Sequence, residues 1–154
     1  MKLSTKGDYA IRALLELALE EPGASLTVSE VATRTAIAPK YLENLLGRLG
    51  AARIVVGRRG HHGGFVLARP AAEITITEVI REMEGPLAPS LCASRTAHSP
   101  CPAYRCPSED SCVMRGLWVE VRDAIAGVLD QTTLADLAER TRAAREASRV
   151  MYHI

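Results

Sequence analysis

The chain has 154 residues and a formal net charge of +1, with 47% hydrophobic and only 4% aromatic residues. That length suits one domain, or a small domain with an extension, and the near-zero charge excludes a wholly basic nucleic-acid coat while allowing a local basic face. So few aromatics require an aliphatic, alanine-rich core, which suits helices. The opening Met1-Lys2-Leu3-Ser4-Thr5-Lys6-Gly7-Asp8 does not read as a signal peptide, and charges interrupt every apolar run well short of a membrane span. The expectation is a cytoplasmic protein with no membrane partner.

Thr5, with Asp8 three residues on, has the spacing of a capping box. Ala10, Ile11, Leu14, Leu15, Leu17 and Ala18 then form a wide helical stripe that Glu21-Pro22-Gly23 ends. Thr27 and Glu30 make a second capping box before a short helix with Val28, Val31 and Ala32 inward. Ile37-Ala38-Pro39 breaks it, and Pro39 suits the first position of a new helix. There Leu42, Leu45, Leu46 and Leu49 recur at i, i+3, i+4 and i+7. Two short helices joined by a tight turn read as a helix-turn-helix. Arg53-Ile54-Val55-Val56 is strand-like, Gly57 to Gly64 is a turn, and Phe65-Val66-Leu67-Ala68 is a return strand. A hairpin directly after a helix-turn-helix makes a winged helix. Thr75 and Glu78 open another helix with Ile76, Val79, Ile80 and Met83 inward, stopped by Gly85-Pro86.

From Pro39 to Gly60 five cations, Lys40, Arg48, Arg53, Arg58 and Arg59, face a single acid, Glu43, for a local net charge of +4. Positive charge is thus concentrated on the second helix and the wing, where it can neutralise phosphates. The exposed positions of that helix include Lys40, Tyr41, Glu43, Asn44 and Arg48. Glu43 is either a solvated helix residue or a base reader that accepts from a cytosine amino group. Arg58 and Arg59 can bind phosphate, and Arg59 on its glycine-flanked wing can also reach a base edge or the minor groove. His61 and His62 read as polar wing-tip residues.

All four cysteines, Cys92, Cys101, Cys106 and Cys112, fall between Gly85 and the next helix. That stretch reads as irregular, because Pro86, Pro89, Pro100, Pro102 and Pro107 lack the amide hydrogen a helix needs. So long a loop in a compact domain calls for a function, and clustered thiols in a reducing compartment bind metal or sense redox state more often than they form structural disulfides. Cys101-x4-Cys106-x5-Cys112 is not the C-x2-C pair of most zinc ribbons. Three loosely spaced thiolates suit an iron–sulfur cluster, which spreads its ligands wider than a single ion does. Cys112 is expected at the start of a helix, where the dipole favours a thiolate. Cys92 stands apart as a packing thiol. That helix carries Met114, Leu117, Trp118, Val121, Ile125, Val128 and Leu129 on a broad apolar stripe, fit to pack on its copy in a second subunit. Thr133 with Asp136 opens a last helix running through Arg145.

The start MKLSTKGDYAIRALLELA, the block Ala38-Pro39-Lys40-Tyr41-Leu42-Glu43-Asn44-Leu45-Leu46, the wing Arg59-Gly60-His61-His62-Gly63-Gly64-Phe65, and Ile76-Thr77-Glu78-Val79 leading to Glu84-Gly85-Pro86 together resemble the Rrf-type regulators, a family that includes IscR/NsrR-like iron–sulfur regulators. The resemblance runs from Met1 to about Leu137. It implies homodimeric winged-helix transcription factors, many with an iron–sulfur cluster on three cysteines before the dimerisation helix, here Cys101, Cys106 and Cys112. Two departures stand out. The first cysteine gap is four residues instead of five, and Arg115 occupies the position where one branch of the family has a ligating histidine. Another branch uses an aspartate in the first helix of the partner subunit, and Asp8 matches it. Asp8 is therefore either the cap of its own helix or a fourth ligand across the dimer. The resemblance favours the ligand role, with His98 and Cys92 in reserve, and favours Glu43 and Arg59 as base readers.

The expected architecture is mainly α with a small β-wing: a winged helix-turn-helix over 1–85, a cysteine-bearing cluster loop over 86–112, and a dimerisation helix with a C-terminal helix over 113–154. The expected function is a homodimeric regulator, a repressor, that binds double-stranded operator DNA. It would sense redox, nitric oxide or iron–sulfur status through a [2Fe–2S] or [4Fe–4S] cluster. A cluster-free thiol switch and, further off, an iron–sulfur electron carrier are the alternatives. The chain has no convincing nucleophile–base set, phosphate loop or dinucleotide fingerprint that would mark an enzyme.

Overall fold

A computed structural model describes residues 4–60, 63–101 and 108–151, with side chains as far as 149. Its elements are α1 (Thr5–Leu19), α2 (Val28–Thr35), α3 (Pro39–Ala51), β1 (Val55–Arg58), β2 (Gly64–Leu67), α4 (Ile76–Glu84), α5 (Val113–Leu129) and α6 (Leu134–Met151). One-turn 3-10 segments lie at Ala71–Glu73 and Leu91–Ala93. None of the helices is long and apolar enough to cross a membrane, among the described residues.

The stripes read from the sequence form the core. Ala10, Ala13, Leu14 and Leu17 of α1 are buried with Val31 of α2, Leu42, Leu45, Leu46 and Leu49 of α3, and Val79, Ile80 and Met83 of α4. Each fully buried leucine is worth roughly 1.5–3 kcal/mol, so these apolar faces dominate the stability of the unit. Leu134 of α6 joins the same cluster. It gets there because the chain between α5 and α6 pairs with the start of α4: Ile76 N–H donates to Thr132 O at 2.9 Å and Leu134 N–H to Ile74 O at 3.0 Å. From that anchor α6 runs back along α1, where Arg142 donates to the Ala18 and Leu19 carbonyls and Arg145 meets Glu16 at 3.4 Å.

Local chemistry explains most element ends. The Thr27–Glu30 capping box forms in full. Thr75 accepts from Glu78 N–H at 3.3 Å, while the Glu78 carboxylate pairs with Arg69. Thr133 and Asp136 cap α6 reciprocally. The first helix differs from expectation. Ser4, not Thr5, is its N-cap, and Asp8 takes no part in a capping box but pairs with Arg12 one turn on, at 2.8 Å. Ser4 prevails because its hydroxyl both accepts from Lys6 N–H at 3.2 Å and donates to Glu84 Oε1 at 2.5 Å. The last helix runs on to Met151, past the end expected at Arg145, since its packing on α1 supports the turns before it.

The first strand begins later than the sequence suggests, while the second begins one residue earlier, at Gly64. Arg53 has φ +57°, and Arg53 N–H donates to Gly50 O and Ile54 N–H to Leu49 O. That is a Schellman stop to α3, so β1 starts only at Val55. The wing is the antiparallel pair β1–β2, with Val56 opposite Val66 and Gly57 opposite Phe65. Leu26, before α2, exchanges two backbone hydrogen bonds with Phe65, which straps the wing to the helix-turn-helix. Gly64 makes that strap possible, because a Cβ there would lie 2.5 Å from Leu26 O.

Two substitutions test these backbone arguments. Ala36, between α2 and α3, sits in the left-handed region at φ +57°. Ala36→Gly removes a strain of roughly 1–2 kcal/mol and adds about 0.4–1 kcal/mol of unfolded-chain entropy. The net expectation is stabilisation by about 0.5–1 kcal/mol, read as a higher urea midpoint at unchanged slope. Gly64→Ala should lower stability by roughly 1–3 kcal/mol, since the clash is with backbone. A Gly64→Ala protein with the parental midpoint would refute the close approach.

Candidate nucleic-acid interface and cysteine site

The outward face of α3 and the tip of the wing carry the predicted cations, and the structure sorts them into two kinds. Lys40 is almost fully exposed and holds Glu43 Oε2 at 3.0 Å, which places a cation beside the one acid of the face. Asn44, on the next turn, is exposed. Arg59 follows β1 at the wing tip, exposed, and makes no hydrogen bond or ion pair with the described residues. Two of the remaining arginines, Arg48 and Arg58, are tethered. Arg48 donates to Glu82 O at 2.5 Å and lies 3.5 Å from the Glu82 carboxylate, tying the end of α3 to α4. Arg58 donates to Gly23 O at 2.7 Å, tying the wing to the loop before α2. Their charge stays at the surface, but their guanidinium groups have structural partners that no spacing rule announces. Tyr41 also has two faces: it is partly exposed, and its ring meets Tyr9 of α1 edge-on, centroids 5.8 Å apart. His61 and His62 lie outside the described residues.

The cysteine segment sits between α4 and α5. Gly85, at φ +87°, turns the chain out of α4, and Leu87 and the 3-10 turn at 91–93 return to the protein. Cys92 is buried, its sulfur 3.2 Å from Ser90 Oγ, as expected of a packing thiol. Its carbonyl accepts from Arg115 Nε at 3.0 Å, and the Ala93 carbonyl from Arg122 at 2.5 Å. Two arginines of α5 therefore grip this turn. Cys101 and Cys112 are half-buried, and Cys112 is the N-cap residue of α5. A thiolate there lies at the positive end of the helix dipole, beside amides that have no intrahelical acceptor. Cys106 lies outside the described residues. Among the described residues no three His, Cys, Asp or Glu side chains stand together as a preassembled metal site.

Sequence reasoning missed the polar brace of this segment. Glu109 lies 2.9 Å from His98 Nε2 and 3.6 Å from Arg115. Its carboxyl is held below the ordinary range chiefly by the His98 hydrogen bond, helped by the charge of His98, the Cys101 amide and Arg115, against the opposing effect of desolvation. His98, a reserve ligand in the sequence reading, is thus committed to a carboxylate. Arg115, standing where one branch of the family has a histidine, is a brace. Glu84 was also missed. Its carboxyl is lowered first by the Ser4 hydroxyl, then by the Gly7 amide and the charge of Lys6. Asp8 presents a partly exposed carboxylate whose partner is Arg12. An exposed pair of this kind is worth about 0.2–1 kcal/mol, too little to hold Asp8 from a stronger ligand. The half-buried Cys101 and the helix-capping Cys112 are soft donors of the kind an iron–sulfur cluster takes.

Residues 3–140 match the family model for Rrf2, described as an iron-dependent transcriptional regulator. An rrf2-like HTH-type transcriptional regulator of Rhodobacter capsulatus is 36% identical over 138 residues, covering 88% of this chain and 91% of that protein. Among solved structures, CymR, the global cysteine regulator of Bacillus subtilis, superposes with a TM-score of 0.74 at 34% identity, covering 91% of this chain and 98% of that one. IscR of T. potens gives 0.72 at 29% identity, over 94% and 90%. These proteins are regulators, not enzymes. With the helix-turn-helix, the wing and the family match spanning most of its length, the chain belongs to the Rrf2 family of winged-helix, DNA-binding transcriptional regulators.

Proposed function

We propose that this regulator is a homodimeric repressor that binds double-stranded operator DNA and reads redox, nitric oxide or iron–sulfur status through an iron–sulfur cluster on Cys101, Cys106 and Cys112. Asp8 of the partner subunit would supply the fourth ligand. One observation carries the reading: Cys112 caps a 17-residue helix, none of whose residues is fully buried within the chain. Val113 is 84% exposed, Val128 66%, Met114 51% and Leu117 45%. That much exposed apolar surface on one helix calls for a partner, and a second copy of α5 matches it. The same helix therefore bears a ligand at its first turn and the dimer contact along its length. A cluster, when bound, supplies an oxidant- and nitric-oxide-reactive centre at that turn. Cys112 then passes any change in its bonding to α5 and so to the spacing of the two recognition helices. These must sit about 34–36 Å apart to enter successive major grooves. Lys40, Tyr41, Asn44, Arg48, Arg58 and Arg59 would face the duplex, with Glu43 and Arg59 reading bases. A reducing, cytoplasmic setting fits the thiols.

A thiol switch is the second reading, favoured by the partial exposure of both Cys101 and Cys112. It requires two cysteines to form a disulfide and no iron. Colour after anaerobic purification, with iron and sulfide analysis, separates the two. A coloured protein is expected. Cys101→Ala, Cys106→Ala and Cys112→Ala should each abolish the visible absorbance, while Cys92→Ala should keep it, because the Cys92 sulfur is buried against Ser90. A colourless Cys92→Ala protein that remains folded would overturn the ligand assignment. Mixed dimers of Asp8→Ala and Cys106→Ala chains should regain one site of two, and no regain would sink the cross-subunit aspartate.

For DNA, Glu43→Ala should relax base preference at one position per half-site, a change of about 1–3 kcal/mol in discrimination. Arg59→Ala should reduce the slope of log affinity against log salt by roughly one for each phosphate that its guanidinium neutralises. If Glu43→Ala preserves the ranking of operator variants in a competition gel shift, the acid is only a solvated partner of Lys40.

A further inference from the structure

Glu84 is the last residue of α4, immediately before Gly85 and Pro86 lead into the cysteine segment. Its Oε1 accepts from Ser4 Oγ at 2.5 Å and from Gly7 N–H at 3.0 Å. Gly7 N–H is one of the amides at the start of α1 that have no acceptor within the helix. A carboxylate there gains from charge-assisted hydrogen bonds and from the helix dipole. Ser4 already caps α1 locally through Lys6 N–H. Glu84 adds a bond from the end of the neighbouring helix α4, eighty positions on in the chain, and it adds it where the cysteine loop begins.

What α1 carries beyond that first turn gives the contact its consequence. Asp8 follows Gly7 directly. Tyr9 follows Asp8, and its ring meets Tyr41 on the exposed face of α3. A helix moves as a rigid rod over so short a span, so a displacement of Gly7 shifts Asp8 and Tyr9 together. The loop is held at both sides. Buried Leu87 anchors it just after Glu84, and Arg115 and Arg122 of α5 hold the turn at 91–93. A shift of the first turns of α5, which Cys112 begins, would reach Glu84 through Arg115, Arg122 and the short tethered stretch from 84 to 93.

We propose that Glu84 is a positioning residue that locks the first turn of α1 to the hinge of the cysteine loop, and so couples the state of that loop to the recognition helix. The proposal rests on the cluster reading above. Glutamate suits the role because a single oxygen meets both donors. Glutamine keeps that oxygen, whereas alanine removes it.

The test uses the full-length protein, reconstituted anaerobically with iron and sulfide, and measures operator affinity of the loaded and cluster-free forms. The quantity of interest is the ratio of the two affinities. Mutations along a coupling route change such ratios by roughly 2- to 30-fold. Glu84→Ala is expected to stay coloured, with a shifted visible spectrum as Asp8 loses its placement, and to bring the ratio towards one by a factor in that range. Glu84→Gln should restore most of the ratio. Ser4→Ala, which removes one of the two bonds, should move it the same way as Glu84→Ala, and it carries the test if Glu84→Ala does not fold. A folded, coloured Glu84→Ala protein with the parental ratio overturns the proposal, as does Glu84→Gln behaving like Glu84→Ala, which would leave charge alone as the cause. A coloured parent whose affinity is the same in both forms overturns it too. A colourless parent overturns the cluster reading, and this proposal falls with it.

Discussion

The burial of α1 is the constraint on which the rest of the structure depends. Its inner face, Ala10, Ala13, Leu14 and Leu17, is almost completely excluded from solvent, and α2, α3, α4, α6 and β2 all pack against this one helix. The two alanines matter as much as the leucines. A small side chain lets neighbouring helices approach closely, and a chain with 4% aromatic residues has few large groups to fill wider gaps. Because α1 is shared, its position sets the position of the recognition helix. The Tyr9–Tyr41 contact, the Glu84 bonds at its first turn and the Arg142 and Arg145 contacts at its last turns all act on that single rod.

Apolar burial and polar tethering have separate tasks here. The core supplies the stability, since each buried leucine outweighs any surface ion pair. The polar contacts supply direction. Arg48 on Glu82, Arg58 on Gly23 O and Arg122 on Ala93 O each join two elements about thirty residues apart in the chain. Individually these exposed or half-exposed bonds contribute little. They fix where the wing, the recognition helix and the loop stand, which the non-directional hydrophobic effect cannot do. Helix α5 is the exception to the core. None of its residues is fully buried; within one chain it is held by half-buried side chains against α4 and the loop turn, by Leu129 against the core and by its arginines. Its exposed apolar face is the surface on which the proposed dimer contact rests.

Elements governed by period and by adjacent residues were legible. The leucine stripe of α3, the Thr27–Glu30 box, the proline opening α3 and the glycine closing α4 are statements about residues within one or two turns, and each holds. Where it is described, the cysteine segment was legible as a loop because proline denies it backbone donors, and Cys112 was legible as a helix start. Reading failed in two ways, through a distant partner at the first helix and through a local helix stop at the first strand. Ser4 outranked Thr5 as cap through Glu84, eighty positions away. Asp8 turned to Arg12 because the cap was taken. Arg53 lost its place in the strand because the Schellman stop of α3 reached one residue further.

By itself the sequence determined the alternation of helices and wing, the clustering of positive charge from 39 to 60, and the gathering of all four thiols into one proline-rich stretch. Periodicity, backbone chemistry and composition act locally, so a linear reading captures them. Only the tertiary structure decided which cations are tethered and which project, that His98 and Arg115 share Glu109, and that α6 returns to the core through Leu134. It also decided that the hinge of the cysteine loop is bonded to the first turn of the helix that carries Asp8. The Glu109 brace depends on how the cysteine segment folds back on itself, and the others on segments far apart in the chain meeting as the helices pack around α1; no local pattern encodes either.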